Sequence, residues 1–321
     1  MKRDRFTSFN MLFFASLAGF FGIGALFLIA LERAGHLPPP PLTATECIDE
    51  KFKFIRDLRD PSPDLLAVGS SATWRNLDFS DHQDVHPGIR QPLNGAPCYL
   101  TVNQTAWLTR FYLESLPSVR TVVSVFAMRD FEGCDGSGQL FAPQLGRKMM
   151  FSTLPAFLVY FVNFRPLRLA TDALHIEAMR SGRDARRPLV MDRYGSGPLT
   201  LTPPDPRGDV SVSQDCFAYL QDMERMLSRR GIRWVVVLMP PMPAWIDRYD
   251  PDGRRDRAWR ERVARSLQTS AAILVDGGQS PFLKNEQFVD PAHFHWRWAR
   301  PFTHWIFREM QSGGHRHLTR N

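Results

Sequence analysis

The sequence predicts an α/β protein: a three-layer sandwich around a mostly parallel five-stranded sheet, preceded by one N-terminal transmembrane helix. An unbroken apolar run at 65–68 and apolar-rich runs at 119–126, 233–239 and 272–275 suit strands buried on both faces, the condition of a parallel sheet. Segments of helical period separate these runs, and strand–helix alternation packs helices on both faces of one sheet. Residues 9–31 carry no charge, and ~20 apolar residues are enough to cross a bilayer.

Lys2, Arg3 and Arg5 precede the apolar stretch, so the positive-inside rule leaves the tip, 1–8, in the cytoplasm and everything after residue 31 outside. A secretory signal would have a shorter core and a small-x-small cleavage site. Here the segment stays apolar to Ala30-Leu31 and then meets Glu32-Arg33, which describes an uncleaved anchor. In a Gram-negative cell this is a single-pass inner-membrane protein with a periplasmic domain.

Region 32–63 follows. His36-Leu37-Pro38-Pro39-Pro40-Pro41-Leu42 reads as a stiff polyproline spacer holding the domain off the membrane. A helix over 46–59 ends at Pro61-Ser62-Pro63. The main domain is 64–312. Its first strand, 65–68, precedes a short second strand within 90–96 that ends in a turn at Asn94-Gly95. A helix at 100–115 places Trp107, Leu108 and Phe111 on one side, and the third strand is 119–126. An insertion, 132–212, has Gly/Ser-rich loops around the aromatic segment 151–164. That segment is too short for a second span, so it packs on the domain or lies at the membrane interface. Regularity returns with a helix at 214–230 closed by Gly231, a fourth strand at 233–239, a charged helix at 254–270 and a fifth strand at 272–275. A last helix starts at Asp290-Pro291 and runs through Trp296, Trp298, Phe302, Trp305 and Ile306. The basic tail is 313–321.

A net charge of +7 favours anionic surroundings. No zinc finger, basic zipper, RNA-recognition signature or Walker loop is present, so nucleic acid is not an expected partner. Cys47, Cys98, Cys134 and Cys216 show no C-x-x-C spacing; they form up to two disulfides in an oxidising compartment, with three pairings open, or stay as buried thiols. The pairs His293/His295 and His315/His317 lack a third ligand at a recognised spacing, so no metal and no cofactor is expected.

The chemistry centres on Gly69-Ser70-Ser71 at the end of the first strand. Glycine permits a sharp reversal, and the sheet's C-terminal edge is where open α/β folds place their sites. Ser71 would head a helical turn and offer its own amide to an oxyanion, although Gly-Ser-Ser is equally a common cap, and the sequence leaves Ser70 or Ser71 as the attacking hydroxyl. Asp290-Pro291-Ala292-His293 supplies a base and a carboxylate to orient it. Asp172-Ala173-Leu174-His175 repeats the spacing, but it lies inside the insertion, whereas Asp290 follows the last strand. Gly95 and Asn94, after the second strand, complete the layout as further oxyanion donors. There is no Gly-x-Ser-x-Gly elbow.

In this layout the chain resembles the SGNH (GDSL-type) hydrolase superfamily. Within it, the chain is similar to the membrane-anchored branch that O-acetylates exopolysaccharides such as alginate, with the related protein of teichoic acid D-alanylation. Gly69-Ser70-Ser71 resembles the nucleophile block, Asn94-Gly95 the glycine block and Asp290/His293 the terminal block, over about 65–306 with the insertion unmatched. The Gly-x-Asn-Asp block is replaced by Met128-Arg129-Asp130-Phe131. The resemblance implies Ser71 as nucleophile, His293 as base, Asp290 as its orienter, and an oxyanion held by Ser71, Gly95 and Asn94. It also implies transfer of an acyl group, acetyl first, to a polysaccharide acceptor, with a multipass membrane-bound O-acyltransferase partner as donor. The same triad would serve a carbohydrate esterase, and the same fold a catalytically inactive subunit of an export complex.

Overall fold

The computed structural model describes residues 2–43, 45–59, 61–151, 156–162, 164–269 and 272–314. The apolar runs pair as one sheet of β1 (Leu65–Ala67), β2 (Pro92–Asn94), β3 (Thr121–Phe126), β4 (Arg233–Leu238) and β5 (Ala272–Asp276). Their order is β2-β1-β3-β4-β5, and every pairing is parallel. Parallel neighbours need long crossovers, so helices must cover both faces. Alternate strand residues accordingly divide between two cores. Leu66, Val122, Val236 and Leu274 pack with Leu108 of α5 (Val102–Ser115), Leu220 of α9 (Asp215–Arg229) and Val263 of α11 (Arg254–Ser266). Leu65, Val123, Val235 and Val275 pack with Phe302 and Ile306 of α12 (Ala299–Ser312).

Ahead of the sheet stand α1 (Lys2–Arg33), the long apolar helix, and α2 (Glu46–Asp57). Two short helices, α3 (Ser71–Asn76) and α4 (His82–Val85), follow β1. The insertion is more regular than its composition predicts: α6 (Pro143–Met150), α7 (Ala156–Val162) and α8 (Pro166–Arg180) fill its first half, and a loop from 181 leads to α9. Pro143 and Pro166 start α6 and α8 at positions where the missing N–H costs nothing. Of the aromatic segment 151–164, residues 152–155 and 163 lie outside the described residues, as does the tail from 315, with His315 and His317. Outside the insertion, α4 and α10 (Pro243–Tyr249) were not expected, and α11 ends at Ser266 rather than 270.

Two expectations are corrected. The last helix does not begin at Asp290. Residues 288–294 form an antiparallel hairpin, β6 (Phe288–Asp290) and β7 (His293–Phe294), and α12 starts at Ala299. The physical reason is burial: Phe288 and Phe294 both sink into the core beside Phe302, with ring centroids of Phe288 and Phe294 4.8 Å apart. The proline run is not a free spacer either. Residues 37–41 are buried, and Arg180 donates to Gly35 O and Leu37 O at 2.9 Å each while pairing with Glu50. Backbone carbonyls that proline leaves without local partners are captured by the insertion, so α1 joins the domain through a packed joint.

The cysteines pair as Cys47–Cys98 and Cys134–Cys216. They bridge sequence separations of 51 and 82 residues, loops long enough for each crosslink to stabilise the fold by about 4 kcal/mol through the unfolded chain.

Candidate active site

The site is built at the C-terminal edge of the sheet, where β1 runs into α3. Gly69 sits at the bend. A Cβ there would lie 2.0 Å from Thr73 Oγ1, which donates to Val125 O and accepts from Val125 N, both at 2.9 Å. The glycine thus lets α3 be clasped against β3, and any side chain would break the clasp. Ser70 caps α3: its Oγ accepts from Ala72 N at 3.1 Å, and it is 2% exposed. Ser70 therefore has a capping role. Ser71, at the first helical position, is partly exposed, and no carbonyl of its own helix can take its amide proton. The structure therefore separates the two hydroxyls that the sequence left equivalent.

The base arrives on the β6–β7 hairpin. Asp290 Oδ1 accepts from Ala292 N at 2.8 Å, a local turn that Pro291 shapes, and the turn brings His293 Nδ1 to 2.9 and 2.8 Å from the two carboxylate oxygens. Nδ1 donating to that carboxylate leaves the lone pair on Nε2. Nε2 is buried and has no hydrogen-bond partner, so no bond joins it to Ser71 Oγ here. Burial opposes the Asp290 charge, but His293, the Ala292 amide and the Arg129 guanidinium outweigh it and hold the carboxyl below its ordinary range.

What ties this hairpin to α3 is Asn76. Fully buried, its Nδ2 donates to Ala292 O at 2.8 Å and its Oδ1 accepts from Phe294 N at 2.7 Å, bracketing His293 on both sides. Nδ2 also donates to Ala72 O at 2.8 Å, within α3 itself. One side chain therefore fixes the helix headed by Ser71 against the turn that carries the imidazole. Sequence reading missed Asn76, because nothing local distinguishes it.

Asp130 was also missed as a site residue. It lies in the 3-10 turn Met128–Phe131 at the end of β3, 5% exposed, with Oδ2 accepting from Ala127 N at 2.9 Å. Burial pushes its carboxyl up to about 6, against the Ser70 hydroxyl, the Ala127 amide and the charges of His293 and Arg129. The available signal was its position, after β3 and in the segment that replaces the Gly-x-Asn-Asp block.

The two other expected oxyanion donors are spent on the fold. Gly95 N donates to Ala67 O at 2.9 Å, which extends the β1–β2 ladder. A Cβ on Gly95 would press to 3.2 Å from the Tyr112 ring, so this glycine serves packing. Asn94 Nδ2 is directed to Trp74 O and Ser196 Oγ, both at 3.2 Å, and its Oδ1 accepts from Ala96 N at 3.2 Å. Its carbonyl takes a bond from Lys51 Nζ at 3.1 Å; Lys51 is wholly buried, and burial first, then Arg75, drives its pKa well down. Of the three predicted donors only the Ser71 amide remains available. The decoy motif is apart from all this: Asp172 pairs with Arg168 at 3.1 Å on α8, and His175 is exposed.

Beside the His293 turn opens a narrow cleft lined by Met128, Met239, Met242, Trp245, Trp259 and Pro291. Met128, Val210 and Trp259 also line a wider groove that carries Arg255, Arg262 and Arg265. No known family, curated protein or solved structure matches the chain.

Proposed function

We propose that this protein is a membrane-anchored, extracytoplasmic serine O-acyltransferase of SGNH type, transferring an acyl group, acetyl first, to a polysaccharide. The observation that carries the reading is the Asp290–His293 dyad, bracketed by Asn76 against the helix that Ser71 heads, with His293 Nε2 buried and unpaired. The strand order and the placement of serine after β1 and Asp-x-x-His after β5 also support an SGNH layout. The long apolar α1 behind Lys2, Arg3 and Arg5, together with two disulfides, supports an anchor with the domain in an oxidising compartment.

In the proposed reaction the Ser71 hydroxyl engages His293 Nε2, which takes its proton as Oγ attacks the acyl carbonyl. Asp290 holds the ring through Nδ1 and stabilises the imidazolium. The Ser71 amide donates to the oxyanion, and the imidazolium then protonates the leaving oxygen to give acyl-Ser71. A sugar hydroxyl, deprotonated by His293, attacks that ester; the bond from acyl carbon to Ser71 Oγ breaks, the imidazolium returns its proton to Oγ, and the sugar leaves carrying the acyl group. The apolar cleft suits the acyl methyl, and the arginines of the adjoining groove suit an acidic polymer. A multipass membrane-bound O-acyltransferase partner would load Ser71 from the membrane side.

The test is incubation of the full chain in detergent with an activated acetyl ester, with and without acidic oligosaccharide. Acetylated oligosaccharide that disappears in Ser71→Ala is the expected result. Release of acetate at a rate indifferent to every acceptor would make the protein an esterase, and no acetyl-Ser71 at all would leave it a scaffold subunit.

A further inference from the structure

We propose that the outer face of α7 and α8 lies in the lipid head-group layer of the bilayer that α1 crosses, so that the domain is docked on the membrane surface. The inference rests on α1 being membrane-embedded and adds a second contact. Among the described residues outside α1, the large apolar side chains left exposed are Leu58, Tyr99, Leu158, Phe164, Leu167, Leu174 and Leu283. Three are scattered, while four fall within 158–174, and such a concentration marks an interaction surface rather than ordinary exposure.

α8 is apolar on two opposite sides. Leu169 and Ile176 are buried in the domain. Leu167 and Leu174, seven residues apart and so on one stripe, are 85% and 77% exposed on the other side. A helix that already buries one face has no folding reason to carry two leucines on its opposite face.

The occupant follows from continuity and charge. Leu28 of α1 packs in one apolar cluster with Tyr160 of α7, Leu169 of α8 and Leu37. The exposed apolar surface of α1 runs up to Phe27, next to that cluster. The joint is held in place: the Tyr160 hydroxyl donates to Pro38 O, His36 Nδ1 donates to Ala173 O at 3.0 Å, and Arg180 clamps Gly35 and Leu37. α7 and α8 are thereby fixed where α1 leaves the apolar layer. Exposed Arg165 lies between Phe164 and Leu167, an arrangement suited to a phosphate head group above acyl chains.

The experiment uses the full chain in vesicles of phosphatidylethanolamine and phosphatidylglycerol doped with a phospholipid bearing a photoactivatable acyl chain, with adducts mapped by mass spectrometry. Adducts are expected on 164–174 as well as on α1. In the double variant Leu167→Glu, Leu174→Glu, adducts on α8 should fall several-fold while those on α1 stay unchanged; both positions are exposed, so the fold tolerates the change. Adducts confined to α1 would overturn the proposal alone, and adducts absent from α1 too would overturn the anchor with it. Cross-linking of residues 167 and 174 to another membrane protein in intact cells, without lipid adducts, would also overturn it.

Discussion

The chain carries Asp-x-x-His in two regions, and their surroundings make them different objects. On α8, Asp172 is taken by Arg168 one turn earlier, and His175 faces outward. On the β6–β7 hairpin, Asp290 has no such competitor at hydrogen-bonding distance and spends its carboxylate on the Ala292 amide and His293 Nδ1. The hairpin is itself held from outside by Asn76, whereas α8 is an ordinary helix with an i,i+4 pair. The spacing is the same in both places; the carboxylate oxygens reach the imidazole on the hairpin, whereas on α8 the carboxylate pairs with an arginine.

The sharpest way to break the comparison is to disable each copy in turn. Ser71→Ala or His293→Ala is expected to lower turnover of an activated acetyl ester by about 10⁴-fold or more, with Asp290→Asn nearly as severe. His175→Ala should leave the rate unchanged, and equal losses from both copies would sink the assignment.

Next in size is the clip. Asn76→Ala strips partners from the buried Phe294 amide and Ala292 carbonyl, an expected loss of about 3 kcal/mol read as a lowered Tm, with turnover falling along with it. A variant as stable and active as the parent would show that the hairpin holds His293 unaided.

Asp130 separates the regions by pH. Its folded pKa, about 6, is above the ordinary 3.8, so the folded state binds the proton more tightly than the unfolded chain. Stability is then favoured below pH 4 and lost as pH rises through 6, by about 3 kcal/mol in all. Asp130→Asn removes that loss: its stability relative to the parent should climb by this amount between pH 4 and pH 7 in denaturant unfolding, and a flat difference would refute a buried titrating carboxyl. The smallest expected effect is Asp172→Asn, which breaks a pair with side chains 29% and 14% exposed. Such a surface pair is worth ~0.3–0.5 kcal/mol, so Tm should barely move and turnover not at all.

Much of this was legible in the residues. Runs rich in Val, Leu and Ile announce buried parallel strands, and Gly69-Ser70-Ser71 after the first of them places the hydroxyls at the sheet edge. The Gln214-led helix and its closure at Gly231 follow from period and glycine alone. Legibility fails where a residue can satisfy two neighbours. Trp296 to Ile306 has helical spacing, yet Phe288 and Phe294 must reach the same core, and a hairpin does that where a helix from Asp290 would not. Asn94-Gly95 looks like a donor pair, but nothing local says that Ala67, Trp74 and Ser196 will claim its hydrogens.

By itself the sequence determined the strand and helix alternation and the long apolar N-terminal helix, because these depend on side-chain period and on residues next to one another. Only the tertiary structure decided which serine is free, which oxyanion donors survive, how the four cysteines pair and that the proline run is buried. Those outcomes rest on hydrogen bonds such as Asn76 to Ala292, 216 residues apart. A donor has few hydrogens to give, and which acceptor receives them is settled when distant segments are packed together.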